Sequence, residues 1–250
     1  MLVVHLELPN FSPRALPGVF WGGNAGMIYS QTGSTIRTVL FDLDGTLADT
    51  APDMAFALNK VREEQGMPAL PFSAIRPVVS HGAAAMVQLG LGITSEDARF
   101  TPLRQRFLDI YREHLTLETR LFPGMDEVLR TIEERGMNWG VVTNKPAWLT
   151  NPLMEQMGLT QRAACIVSGD TTPERKPHPA PMLYACHQAG SHAWQCLYVG
   201  DAQRDIEAGR RAGMKTLAAL FGYIGTADEP QLWNADAMIQ HPLEILDWLG

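Results

Sequence analysis

Phe41-Asp42-Leu43-Asp44-Gly45-Thr46-Leu47 sets two carboxylates two residues apart, where the apolar run Thr38-Val39-Leu40-Phe41 breaks into a Gly-Thr turn. The run has the composition of a buried strand, and the turn marks its C-terminal end. Two acids crowded onto a strand end repel unless a cation or a shared proton lies between them. Such a pair suits one carboxylate as nucleophile and its neighbour as general acid/base, with a divalent metal holding them apart. An isolated D-x-D is also an ordinary Asx-capped turn, and only similar strand ends elsewhere in the chain separate the two readings.

Three later segments repeat the arrangement. Trp139-Gly140-Val141-Val142 is a second apolar run, ending in Thr143-Asn144-Lys145, a hydroxyl and an amide suited to phosphate oxygens. Lys176-Pro177-His178-Pro179 supplies a point charge able to neutralise a phosphorylated carboxylate. Leu197-Tyr198-Val199-Gly200 is followed by two more acids, Asp201 and Asp205. Between Thr50 and about Arg120 nothing reads as a strand. Helices are expected there near residues 53–62, 72–76, 82–91 and 101–117. Beyond Leu121, strands at 139–142, 165–167, 196–199, 215–220 and 237–239 alternate with helices at 123–135, 149–157, 181–188, 206–212 and 243–249. That rhythm predicts an α/β fold with a doubly wound parallel sheet, and ligands in such sheets bind beyond the carboxyl ends of the strands. All four motifs fall there.

An Asp pair, a Thr, a Lys and a second Asp pair, in that order and each at a strand end, resemble the haloacid dehalogenase superfamily of phosphatases. The resemblance runs over residues 36–248. It implies a Rossmann-like core (36–50 and 121–250), an inserted all-helical cap domain (51–120) and an N-terminal extension (1–35) expected to be flexible. By the same resemblance Asp42 attacks phosphorus to form an aspartyl phosphate, and Asp44 protonates the leaving alcohol and then activates water. Dehalogenases and phosphonate-cleaving members lack an acid at the second position, so Asp44 points to a phosphate ester or anhydride. Lys176 bridges the nucleophile and the phosphate. Thr143 and Asn144 bind the phosphoryl group through hydroxyl and backbone N–H donors, or else merely cap the helix after Pro146. The implied cofactor is Mg²⁺, held by the Asp42 carboxylate, the Asp44 backbone carbonyl and Asp201. Asp205 holds a metal-bound water or orients Lys176, unless it is an ordinary acid in the first turn of the next helix. Lys145 reads as a surface charge.

Substrate choice falls to the insert. Ser80-His81-Gly82 opens a short helix whose N–H groups suit an anionic group such as a carboxylate. His81 is thus a substrate contact or a plain helix cap, and Arg76, Asn59 and Lys60 are weaker candidates. Within the superfamily the closest likeness is to members acting on small phosphate esters that carry a carboxylate. N-acetylmuramic acid 6-phosphate, of peptidoglycan recycling, is expected ahead of 2-phosphoglycolate. A sugar phosphomutase and a non-catalytic phosphate-binding scaffold are the alternatives; the scaffold's sign would be a missing motif residue, and none is missing.

Composition narrows the partners. A net charge of −7 over 250 residues leaves no basic footprint for nucleic acid, so the substrate must be drawn in by local groups and metal. No apolar stretch approaches the ~20 residues of a membrane span. Cys165, Cys186 and Cys196 show no C-x-x-C spacing and read as reduced thiols of a cytoplasmic monomer or homodimer. Cys186, His187, His192 and Cys196 match no common zinc spacing. The stretch 22–26 lacks the pattern of a phosphate loop, and residues 1–26 are a poor signal peptide. Resembling enzymes begin within a few residues of the first strand, so Met27 is an alternative start and residues 1–26 receive no catalytic role.

Overall fold

All four side chains of strand β1 (Thr38–Phe41) are buried, as a strand covered on both faces requires. The computed structural model describes residues 36–250, so the expected flexible extension and the alternative start at Met27 lie outside the described residues. After β1 comes the two-residue strand β2 (Ala48–Asp49), then four helices, α1 (Ala51–Glu64), α2 (Phe72–Ile75), α3 (Gly82–Leu91) and α4 (Phe100–Glu113). The chain returns through β3 (Arg120–Leu121). It then alternates through α5 (Met125–Glu134), β4 (Asn138–Val142), α6 (Ala147–Gln156), β5 (Cys165–Val167), α7 (Ala180–Gln188), β6 (Cys196–Gly200), α8 (Gln203–Ala212), β7 (Lys215–Ala219) and β8 (Ala237–Ile239).

Six of these strands form one sheet in the order β5-β4-β1-β6-β7-β8, with every pairing parallel. The chain winds outward to either side of β1, and the crevice at such a reversal lies beyond the carboxyl ends of the strands. Alternation along β1 splits its side chains between two cores. Val39 and Phe41 pack with Trp139, Leu197 and Leu217, whereas Leu40 packs with Val142 and Tyr198. A buried Val, Leu or Phe contributes about 1.5–3 kcal/mol over exposure, so the strand that carries the first motif is firmly held.

The insert is all-helical, as expected, but its neck is a small antiparallel ribbon of β2 on β3 that the sequence did not signal. Two-residue strands have no periodicity to read. The neck is held by buried polar groups. Asp53, in the first turn of α1, accepts from Glu118 N (3.0 Å), Thr119 N (2.9 Å) and Thr119 Oγ1 (2.8 Å), and so ties the departing chain to the returning one. Tyr223 Oη takes the N–H groups of Thr50 (2.6 Å) and Ala51 (2.9 Å), orphan donors at the start of α1, and donates to Asp49 Oδ1 (2.7 Å). At the C-terminus the expected closing helix is present, as a 3₁₀ helix over Pro242–Trp248. Side-chain bonds from the His241–Glu244 corner fix its tight first turn.

Candidate active site

The turn after β1 folds back sharply at Gly45 (φ +84°), where a Cβ atom would lie 2.1 Å from Asp201 Oδ2. Only glycine allows that approach, and it brings the first motif against the last. Asp42, Asp201 and Asp205 converge beyond the ends of β1 and β6, with one oxygen of each within 4.8 Å of the others and all three side chains buried.

Lys176 is the hub of this cluster. Its fully buried ammonium lies 2.9 Å from Asp42 Oδ1 and 2.7 Å from Asp205 Oδ1, and donates to Val142 O (2.8 Å) and Tyr198 Oη (2.9 Å). Asp205 also accepts from Ala202 N (3.0 Å), which holds it at the start of α8. Of its expected roles, the geometry therefore brings Asp205 to Lys176. Asp42 Oδ1 takes the Leu43 N–H as well (2.8 Å).

Three buried carboxylates against the Lys176 ammonium and the nearby Arg204 guanidinium still leave negative charge in excess. Burial, then the charges of Asp42 and Asp205, pushes the Asp201 carboxyl up to about 7, although it accepts from Tyr223 N (2.9 Å) and Ser80 Oγ (2.8 Å). Burial likewise raises Asp205. A site this costly for anions, built from hard oxygen donors, fits a divalent cation such as Mg²⁺. The carboxylates placed to hold it are Asp42, Asp201 and Asp205.

Asp44 faces the cavity from the other side of the turn. Its Oδ1 accepts from Thr50 Oγ1 (2.7 Å) and from Lys145 Nζ (2.7 Å). Lys145 is thus no surface charge: it is buried, donates also to Tyr111 Oη (3.0 Å), and sits 4.6 Å from the centre of that ring. Burial pulls its ammonium down, but Asp44 and Tyr111 more than offset this, so it is held above its ordinary range. Sequence reading missed Lys145 because a lysine beside a strand end carries no sign of burial, and Tyr111 because it reads as an apolar position of α4.

Thr143 and Asn144 follow β4 and line the cavity, but neither caps α6. Thr143 Oγ1 accepts from Lys145 N (3.2 Å), while Asp170 takes the Ala147 N–H (2.8 Å). The Asn144 side-chain amide is spent on Lys176, donating to its carbonyl (2.9 Å) and accepting from its N–H (3.0 Å). The Asn144 backbone N–H has no partner among the described residues.

The cavity, about 510 Å³, runs from Asp42 and Asp44 up to the insert. His81 and Gly82 line it, and His81 makes no side-chain capping bond to α3. Arg104, Trp148, Arg175 and Arg204 also line it, none of them singled out in the sequence. The weaker candidates are spent elsewhere. Asn59 bonds both sides of the Leu70 backbone, Lys60 pairs with Glu63, and Arg76 donates to Gly222 O (2.9 Å) and Phe221 O (3.1 Å). Ser80 gains a role not foreseen. Besides its bond to Asp201, its carbonyl accepts from Arg204 Nη2 (2.7 Å), so the insert is seated directly on the acidic cluster. The three thiols are buried while His187 and His192 are exposed.

Comparison with known proteins adds an independent line. The haloacid dehalogenase-like hydrolase family profile matches residues 39–219. An N-acetylmuramic acid 6-phosphate phosphatase of Pseudomonas aeruginosa is 44% identical over 214 residues, covering 86% of this chain and 95% of the relative. A phosphoglycolate phosphatase of Xanthomonas campestris pv. campestris is 44% identical over 209 residues, covering 84% and 94%. Among solved structures, a predicted phosphoglycolate phosphatase from Haemophilus somnus 129pt superposes with a TM-score of 0.77 at 28% identity, covering 86% of this chain and 98% of that one.

Proposed function

This chain belongs to the haloacid dehalogenase-like hydrolases and is a phosphatase, and from that premise we propose a Mg²⁺-dependent phosphomonoesterase that works through an aspartyl phosphate on Asp42. The observation that carries the reading is the convergence of Asp42, Asp201 and Asp205 around the buried Lys176 beneath the helical insert.

Asp42 attacks phosphorus in line with the departing oxygen. Lys176, tied to both Asp42 and Asp205, offsets charge on the nucleophile and on the transferring group. Thr143 and the Asn144 backbone N–H receive phosphate oxygens. Asp44 protonates the leaving alcohol and then takes a proton from the water that hydrolyses the phosphoenzyme. Bound Mg²⁺ would supply Lewis-acid stabilisation of charge on the phosphoryl oxygens. The insert, residues 51–120, acts as a cap that excludes water and meets the leaving group.

The substrate we infer is a small phosphate ester bearing a carboxylate, N-acetylmuramic acid 6-phosphate ahead of 2-phosphoglycolate. The two relatives above bear those substrates in their names. The cavity, about 510 Å³, has room for the larger of the two. Arg104 and Arg175 provide cations and His81 a ring N–H for a carboxylate, and the face of Trp148 suits a sugar ring. Such a role belongs to the cytoplasm, and among the described residues no helix is long and apolar enough to cross a membrane. Phosphate release from both esters, with Mg²⁺ and with chelator, tests the proposal. Turnover of neither, or turnover indifferent to chelator, overturns it.

A further inference from the structure

The buried lysine beside Asp44 is not explained by binding phosphate alone. Its ammonium is bracketed by Asp44 Oδ1 from the sheet and Tyr111 Oη from helix α4 of the insert, with the tyrosine ring beneath it. Tyr111 is itself inaccessible to solvent, and burial lifts its hydroxyl to about 12, so it stays a neutral dipole beside the cation. A buried ammonium is tolerated only when such partners surround it. Removing either one leaves the charge seeking another position.

The consequence for Asp44 is geometric. Thr50 Oγ1 and Lys145 Nζ both donate to Oδ1, and neither touches Oδ2. Held through Oδ1 from two sides, the Asp44 carboxyl has a fixed orientation, and Oδ2 is the oxygen left without a protein hydrogen-bond donor. We propose that Lys145, seated by Tyr111, is a positioning residue that holds the Asp44 carboxyl by Oδ1 and leaves Oδ2 free for the leaving oxygen, and that the insert must be docked for this to happen. In the first half-reaction the ester P–O bond breaks and the phosphoryl group passes to an Asp42 oxygen. The Oδ2 proton of Asp44 moves to the leaving oxygen. In the second half-reaction Oδ2 recovers a proton from water as the acyl phosphate is hydrolysed. Because Tyr111 belongs to the insert and Lys145 to the sheet, closing the site over a substrate and arming the acid become one event.

The inference rests on Asp44 being the general acid, and the test separates the two. kcat/KM reports steps through the first phosphoryl transfer. It is to be measured for N-acetylmuramic acid 6-phosphate, whose alkoxide needs a proton, and for p-nitrophenyl phosphate, whose phenolate needs almost none. For Tyr111→Phe and Lys145→Met, the sugar ester should lose tenfold or more while the aryl ester stays within about threefold, a split of the size general-acid catalysis supplies. Asp44→Asn should give the same split, larger. Melting temperatures establish that each variant is folded, and Tyr111→Phe, which keeps the ring, is the milder of the two. If Asp44→Asn splits the esters while both other variants lower them equally or not at all, the positioning role is wrong and the mechanism stands. If Asp44→Asn itself shows no split, the acid assignment fails and this inference falls with it.

Discussion

The carboxyl end of the sheet and the helical insert above it are built on opposite terms. At the sheet end each functional group is locked by neighbours from the same sheet: Lys176 has four partners, Asp205 is pinned to the start of α8, and Gly45 lets the first motif touch the last. The insert reaches the site through a few polar bonds, Ser80 to Asp201, Arg204 to the Ser80 carbonyl, Tyr111 to Lys145 and Arg76 to the 221–222 backbone. Chemistry common to every phosphate ester needs the first kind of construction, because groups that stabilise a transition state act best when already in place. Closing over one leaving group and reopening needs the second kind.

If that division holds, substitutions at the sheet end strike all substrates alike. Asp42→Asn should lower turnover of every ester by ~10³-fold or more, while the isosteric side chain leaves the melting temperature nearly unchanged. Phosphate release and a thermal melt measure both, and substantial residual activity would break the comparison at its stronger side.

The neck between the regions is next in size. Asp53→Ala strips three acceptor bonds from Glu118 and Thr119 and leaves buried N–H donors unpaired, which should cost about 2–4 kcal/mol in urea unfolding. A loss below about 0.5 kcal/mol would mean that solvent replaces those bonds and the neck is looser than its geometry.

Substitution inside the insert should discriminate. His81→Ala is expected to lower kcat/KM for the carboxylated esters by about tenfold while changing p-nitrophenyl phosphate by less than about threefold. An equal fall on both would move His81 to the shared machinery of the sheet end.

The smallest effect is a pH trend in metal-free protein. Asp201 sits near 7 when folded against 3.8 as its ordinary value, so the folded state holds a proton that the unfolded chain has lost between those values. The associated stability is full below about 4 and disappears as pH rises through about 7. With chelator present, melting temperature should therefore decline by a few degrees across that window, a slope that Asp201→Asn flattens. Added Mg²⁺ should stabilise more at pH 8 than at pH 5. A wild-type slope retained in Asp201→Asn would assign it to other groups.

The same division explains what was legible in the sequence. Asp42, Asp44, Thr143, Lys176 and Asp201 announce themselves because each follows an apolar strand or closes the motif order, and the alternating rhythm from residue 121 onward yields the parallel sheet nearly strand for strand. The helices of the insert were readable as helices, yet the contacts of Ser80 with Asp201 and of Tyr111 with Lys145 were not. A serine before a histidine or a tyrosine on an apolar helix face is defined by what it meets in three dimensions. Lys145 shows the limit most plainly. Its neighbour in sequence, Asn144, suggested phosphate, whereas its partners in space are an acid 101 residues earlier and a tyrosine 34 residues earlier. The Asn144 side-chain amide brackets the backbone of Lys176, 32 residues on, a contact that no local pattern signals.

The central claim is that Asp42 carries the phosphoryl group. Wild-type protein mixed with N-acetylmuramic acid 6-phosphate and Mg²⁺, quenched in acid within milliseconds and analysed by peptide mass mapping, should contain one added phosphoryl group on the peptide spanning residues 38–47, assigned to Asp42. The adduct should be absent from Asp42→Asn and from wild-type samples mixed with substrate in chelator. Turnover that proceeds with no phosphoenzyme, or with the phosphoryl group on any other residue, would contradict the account.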